Sequence, residues 1–142
     1  MLKKSSNSVH HLSIHLIFVV KYRKKLLIKF GEDMKKLLLE CSDKSDKFDI
    51  THIEVDRDHV HMMIDYIPTE SVSNIARQLK SYSVFHIWRM HGEILEYQFW
   101  KEKMFWSKSY FVCSVGDCSR ETVAKYIESQ GGLPQNKRKF IS

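Results

Sequence analysis

The stretch from Phe48 to Ile67, FDITHIEVDRDHVHMMIDYI, reads as two strand-like segments, Phe48–Val55 and His59–Ile67. The polar turn Asp56-Arg57-Asp58 between them suits an antiparallel hairpin, and Pro68 ends the second segment. Successive side chains of a strand leave opposite faces. Val60, Met62 and Ile64 therefore share one face, apolar enough to pack against helices, while His59 and His61 share the other.

Working outward, Leu12–Tyr22 is rich in β-branched and aromatic residues and predicts a buried first strand that runs into the basic cluster Lys21-Tyr22-Arg23-Lys24-Lys25. After Gly31, the spacing of Met34, Leu37, Leu38 and Cys41 predicts an amphipathic helix over Glu32–Cys41, closed by the polar stretch Ser42–Lys47. Beyond the hairpin, Ser71 or Ser73 caps a long helix reaching about His91, just before Gly92. Val72, Ile75, Leu79, Tyr82 and Phe85 form its apolar stripe. Trp106–Val115 predicts a fourth strand closed by Gly116 and Asp117. Ser119 then caps a last helix through Gln130, which Gly131, Gly132 and Pro134 stop. The order β-α-β-β-α-β-α is that of an α+β, ferredoxin-like or RRM-like split βαβ antiparallel sheet with helices on one face and a further C-terminal helix that carries Tyr126. A chain of 142 residues fits one such domain, spanning residues 1–142.

Composition narrows the class of partner. A net charge of +6 and a pI near 9.2 favour a polyanion, since each Lys or Arg that neutralises a phosphate releases condensed counterions. The longest apolar run, Leu16–Val20, is too short to span a bilayer and has no signal-type flanks, so a cytoplasmic protein with no membrane partner is expected. Cys41, Cys113 and Cys118 are odd in number and lack C-x-x-C spacing, and are expected to be reduced, mostly buried thiols. There is no P-loop, G-x-S-x-G elbow or H-E-x-x-H helix, so no nucleotide cofactor, serine hydrolysis or helical zinc site is indicated.

Two features carry chemistry. His59-Val60-His61 puts two imidazoles side by side, where they can grip one metal, although half-exposed surface histidines would give the same pattern. Tyr126 and Gln130 are four residues apart in the last helix and so stack on one face. A phenol and an amide oxygen can converge there, although Tyr126 could equally pack with Val123 and Ile127.

These residues occur in a recognisable order. H-V-H at His59–His61, W-x-x-x-Y-F-V-x-S-V-G from Trp106 to Gly116 and Y-I-x-x-Q from Tyr126 to Gln130 resemble the single-tyrosine HUH transposases of the smallest bacterial insertion sequences. His15, Phe18 and Lys21-Tyr22-Arg23 at the start, and Lys80-x-x-Ser83 in the long helix, extend the likeness over nearly the whole chain, while Gly92–Met104 matches nothing in it. The resemblance implies a homodimer that cleaves and rejoins single-stranded DNA at element ends bearing subterminal hairpins. It implies a divalent metal on His59, His61 and Gln130, Tyr126 as the nucleophile and Gly116 as the hinge of its helix. Magnesium is expected in the cell, with manganese as good in vitro. Lys21, Arg23, Lys24, Arg77, Lys80 and the basic tail Lys137–Lys139 are the expected phosphate contacts. The alternatives are a noncatalytic RRM-like nucleic-acid-binding module, a domesticated hairpin-cleaving relative and a phosphodiesterase that uses water.

Overall fold

The computed structural model describes residues 11–100, 102–116 and 118–131. Strands β1 (Leu12–Val19), β2 (Phe48–Val55), β3 (His59–Tyr66) and β4 (Phe111–Ser114) alternate with helices α1 (Leu27–Asp43), α2 (Val72–Phe99) and α3 (Arg120–Ser129) in the expected order. The sheet is antiparallel with strand order β2-β3-β1-β4, the split βαβ topology. Residues Val60, Met62 and Ile64 of β3 and Leu16 and Phe18 of β1 are fully buried in one cluster with Phe30, Met34 and Leu38 of α1 and Ile75 and Leu79 of α2. The helices thus cover the face opposite His59 and His61.

Caps fall where the sequence offers them. Ser71, rather than Ser73, starts α2 by accepting a hydrogen bond from the Asn74 backbone N–H, and Ser119 does the same for α3 toward Thr122.

Several boundaries differ from the sequence expectation, each for a packing reason. β1 stops at Val19, because Tyr22 and Arg23 take positive φ and make Lys21–Arg23 a single 3-10 turn. α1 begins at Leu27, since buried Leu27 and Phe30 extend its stripe by a turn. Gly31 lies inside it, where a Cβ would stand 3.2 Å from a Val55 methyl. α2 passes Gly92 with a kink at His91, whose Nε2 is 2.8 Å from Asp33 Oδ2 on α1. It continues because Leu95 and Phe99 are buried beyond the kink. Phe85, expected in the stripe, is exposed. The fourth strand is short: Trp106 makes only an isolated bridge to Val20, and Phe105 and Trp106 are core residues. The cysteines are also different from expectation. Cys113 and Cys118 form a disulfide across the β4–α3 turn, while Cys41 is a free, buried thiol that burial pushes up to about 11. No helix among the described residues is long and apolar enough to cross a membrane.

Phe18 joins the layers, with its ring 5.5 Å from Trp106 and under the Lys80 ammonium. Phe18→Ala should cost about 3–5 kcal/mol of stability, read as a lower urea midpoint with an unchanged slope.

Candidate active site

The outer face of the sheet is set by register. Ile17 on β1 lies between His61 on β3 and Phe111 on β4, so these three side chains leave the same side, as do His15, Val19, His59 and Cys113. Ile17 and Val19 are completely buried although they point away from the helix layer, which requires a cover on this side. α3 lies on this side: the Tyr126 ring rests 5.3 Å from that of Phe111, and just past the helix a Cβ on Gly131 would meet the Arg23 side chain at 3.0 Å.

His59 is held from behind. Its Nδ1 is 2.9 Å from Asp58 Oδ1, and because a carboxylate only accepts, Nδ1 carries a proton and Nε2 is the ring nitrogen left for a ligand. The second Asp58 oxygen accepts from Arg23 Nε at 3.1 Å. Burial works to raise the Asp58 carboxyl, but the bonds and charges of His59 and Arg23 outweigh it and hold the group below the ordinary carboxylate range. His61 Nε2 is 2.9 Å from His15 Nδ1, so one ring donates to the other. Burial, with His15 adding to it and Glu54 opposing it, holds His61 below the ordinary histidine value and therefore neutral near pH 7.

The second half of the site centres on Ser109. Its hydroxyl is 2.8 Å from the Tyr126 hydroxyl and donates to Gln130 Oε1 at 3.1 Å. The serine has one proton to give, so the tyrosine O–H donates to Ser109. Burial raises the Tyr126 phenol, against the lowering effect of Ser109. Ser109 is in turn fixed by Lys80, whose ammonium donates to the carbonyls of Ser107, Lys108 and Ser109 at 2.7, 3.1 and 3.0 Å. Ser83 accepts from the Trp106 indole at 3.0 Å. The Lys80-x-x-Ser83 pattern is thus a brace for the segment that carries Ser109.

The structure therefore gathers His59, His61, Tyr126 and Gln130 on one face, with Arg23 at its edge. It treats the expected cationic contacts unequally. Lys21 lies over the Tyr22 ring, and Lys24 reaches Gln98 and the Phe99 ring. Lys80 has its three N–H groups engaged by carbonyls, and burial, aided by the charge of Lys21, pushes its amine down to about 8. Arg77 stands exposed on the helix layer, bonded to Asn74, across the sheet from the histidines. The tail Lys137–Lys139 lies outside the described residues. Gly116, in the turn spanned by the disulfide, has φ +100°. Among the described residues no three His, Cys, Asp or Glu side chains form a metal-binding group. The donor set does suit a divalent ion once the Gln130 amide oxygen is added, with two imidazoles on one face and a carboxylate behind one of them. Sequence reasoning missed Ser109, which no periodicity marks. It took Asp58 only as a turn residue, and His15 only as part of a motif.

A split βαβ sheet with an H-x-H pair beneath a tyrosine-bearing helix defines the HUH class of single-tyrosine transposase. The chain belongs to the IS200-like transposase family, whose model matches residues 8–130. It is 30% identical to the ISDra2 transposase TnpA of Deinococcus radiodurans over 129 residues, 91% of each chain. It is 28% identical to the transposase of insertion sequence element IS200 of Salmonella typhimurium over 121 residues, 82% of this chain and 74% of the relative. The crystal structure of a putative transposase from Deinococcus radiodurans superposes with a TM-score of 0.80 at 26% identity, covering 92% of this chain and 99% of the other. A REP-associated tyrosine transposase bound to a REP hairpin shares the fold, with a TM-score of 0.54 at 11% identity over 82% of this chain and 62% of its own.

Two outcomes follow from this geometry. The Asp58 carboxyl sits below the ordinary value of about 3.9, so its contribution to stability is complete above about pH 4 and is lost as pH falls through the folded-state value. Asp58→Asn should flatten the acid limb of a plot of urea midpoint against pH. No side chain of α3 is buried and the disulfide closes its N-terminal tether, so a reductant should speed amide hydrogen exchange across Arg120–Ser129 while β1 and β3 stay protected.

Proposed function

We propose that this transposase cuts and rejoins single-stranded DNA at the ends of its insertion sequence through a covalent 5′-phosphotyrosine on Tyr126. The observation that carries the reading is the chain Tyr126–Ser109–Gln130 on the sheet face that also holds His59 and His61. In the proposed step the Tyr126 oxygen attacks phosphorus in line, the bond from phosphorus to the 3′ oxygen breaks, and that oxygen leaves with a proton as a 3′-hydroxyl. Ser109 orients the phenol by accepting its hydrogen bond. One phosphodiester replaces another, so the 3′-hydroxyl of a second strand can reverse the step with no nucleotide cofactor.

His59, His61 and Gln130 would hold magnesium or manganese, and His15, 2.9 Å from His61, would help to orient that ring. When bound, such a cation would supply Lewis-acid stabilisation of the phosphate oxygens, worth several kcal/mol of barrier. Neutral ligands leave its charge undiminished. Asp58 orients His59, and Arg23, shared between Asp58 and the end of α3, meets the backbone phosphates together with Lys21 and Lys24. A phosphate in an undistorted duplex is out of reach of a helix-borne phenol lying against a sheet, which favours single strands presented beside a hairpin. α3 rests on few contacts and follows a glycine with positive φ. This supports a homodimer in which Gly116 lets the tyrosine helix serve either subunit.

The wild type, mixed with single-stranded DNA from its own flanks and magnesium or manganese, should give a denaturation-resistant protein–DNA adduct. Tyr126→Phe should give none, and strand scission without an adduct would establish water as the nucleophile instead. Calorimetric manganese affinity should fall by about 10–100-fold in Asp58→Asn, the usual effect of losing a carboxylate behind a ligating histidine. Mixed dimers of Tyr126→Phe and His59→Ala should recover adduct formation if each site draws on both subunits, and sedimentation of the wild type as a monomer would end the dimer proposal.

A further inference from the structure

Gly92–Met104 takes no part in the site described above, yet it holds the most exposed aromatic side chains among the described residues. Tyr97 is 91% and Trp100 79% exposed. Together with Tyr22, Phe99 and Met104 they line a cavity of about 360 Å³, within the size range of pockets that take small ligands. Its two walls are both strained. Tyr22 at φ 62° and Trp100 at φ 61° occupy the left-handed region that favours glycine. Bulky aromatics kept at positive φ cost stability, and such outliers persist where the strained side chain serves a purpose.

The surroundings say what purpose. Lys21 stands 5.3 Å from the Tyr22 ring centre, and Lys24 bridges to the far wall through Gln98. The wall residue Tyr22 is directly followed by Arg23, which bonds Asp58 behind His59. The cavity therefore lies at the end of the sheet where β1 exits and Arg23 is bonded to Asp58, with ammonium groups at its edge. We propose that this pocket stacks one or two unpaired bases of single-stranded DNA. Base faces stack on Tyr97 and Trp100, and the backbone runs along Lys21 and Lys24. Glu102, also in the lining, offers an acceptor to an exocyclic amine, which favours cytosine over thymine. The inference rests on the single-strand reading above and adds a base-binding subsite to it.

The test measures equilibrium binding of short oligodeoxycytidylate and oligothymidylate, which contain no hairpin, to the full chain, with adduct formation on flanking DNA followed separately. Tyr97→Ala and Trp100→Ala should each weaken binding about tenfold, the effect of losing one aromatic–base stack. Trp100→Gly should weaken binding equally while raising the urea midpoint, since glycine relieves the strained φ. A purely structural role for Trp100 would not separate those two readouts. Adduct formation at saturating DNA should survive all three. Unchanged affinity in the variants overturns the pocket and leaves the tyrosine chemistry standing. A wild type that binds neither oligonucleotide yet forms the adduct on flanking DNA overturns the pocket alone, and absence of both binding and adduct overturns both readings. Unchanged DNA affinity with loss of self-association in sedimentation would reassign the aromatics to a protein interface.

Discussion

Asp58 makes three bonds in three directions, and the site depends on them. Its backbone carbonyl accepts from the Val20 N–H at 2.8 Å, one carboxylate oxygen accepts from Arg23 and the other from His59. One residue in the β2–β3 turn thereby locks the exit of β1, orients a histidine and positions a guanidinium beside the end of α3. The carboxylate side chain is only 11% exposed. A charge so placed is tolerated because both its oxygens are met by charge-assisted or polar donors. The same bonds that make its burial possible give His59 its tautomer, so folding and chemistry draw on one interaction.

Much of this was legible in the sequence because a physical period enforces it. Alternation along β3 leaves no choice of face: burying Val60, Met62 and Ile64 turns His59 and His61 outward. Capping serines and apolar spacing marked the helices for the same reason. What was not legible came from contacts between distant segments. Gly92 reads as a stop, but burial of Leu95 and Phe99 carries α2 past it. Trp106 reads as strand but serves the core, leaving β4 four residues long. Lys80 reads as a surface charge free for phosphate, yet its ammonium is enclosed by three carbonyls. The cysteines misled because spacing rules know nothing of the turn at Gly116, which brings the Cα atoms of Cys113 and Cys118 to 5.5 Å.

The two halves of the site are built to different degrees of rigidity. The histidines stand on strands flanked on both sides by partners, with β1 and β3 central in the sheet. Tyr126 stands on a ten-residue helix without one buried side chain, held by Ser109, the Phe111 ring and proximity to Arg23. A helix this short gains most of its stability from such contacts rather than from its own hydrogen bonds. The half of the face that carries the histidines is thus preorganised, and the helix that carries Tyr126 is the more loosely held element. That division would suit the proposed reaction, in which the tyrosine would carry the captured strand while the histidine face stayed in place.

Local conformational rules hold through most of the chain and break together at one end of the sheet. Tyr22, Arg23 and Trp100 are the non-glycine residues at positive φ among the described residues, and Tyr22 and Trp100 face one cavity. Glycine at position 23 would relax the backbone but could not reach Asp58, and glycine at 22 or 100 would remove a ring. The left-handed turn also explains why β1 ends so abruptly after Val19: it redirects the chain so that Arg23 folds back under the β2–β3 turn while Tyr22 opens to the opposite side. Violations scattered through a fold would indicate poor local design. Concentrated where β1 leaves the sheet, and made by residues whose side chains bond Asp58 or line one cavity, they mark where stability has been yielded to function.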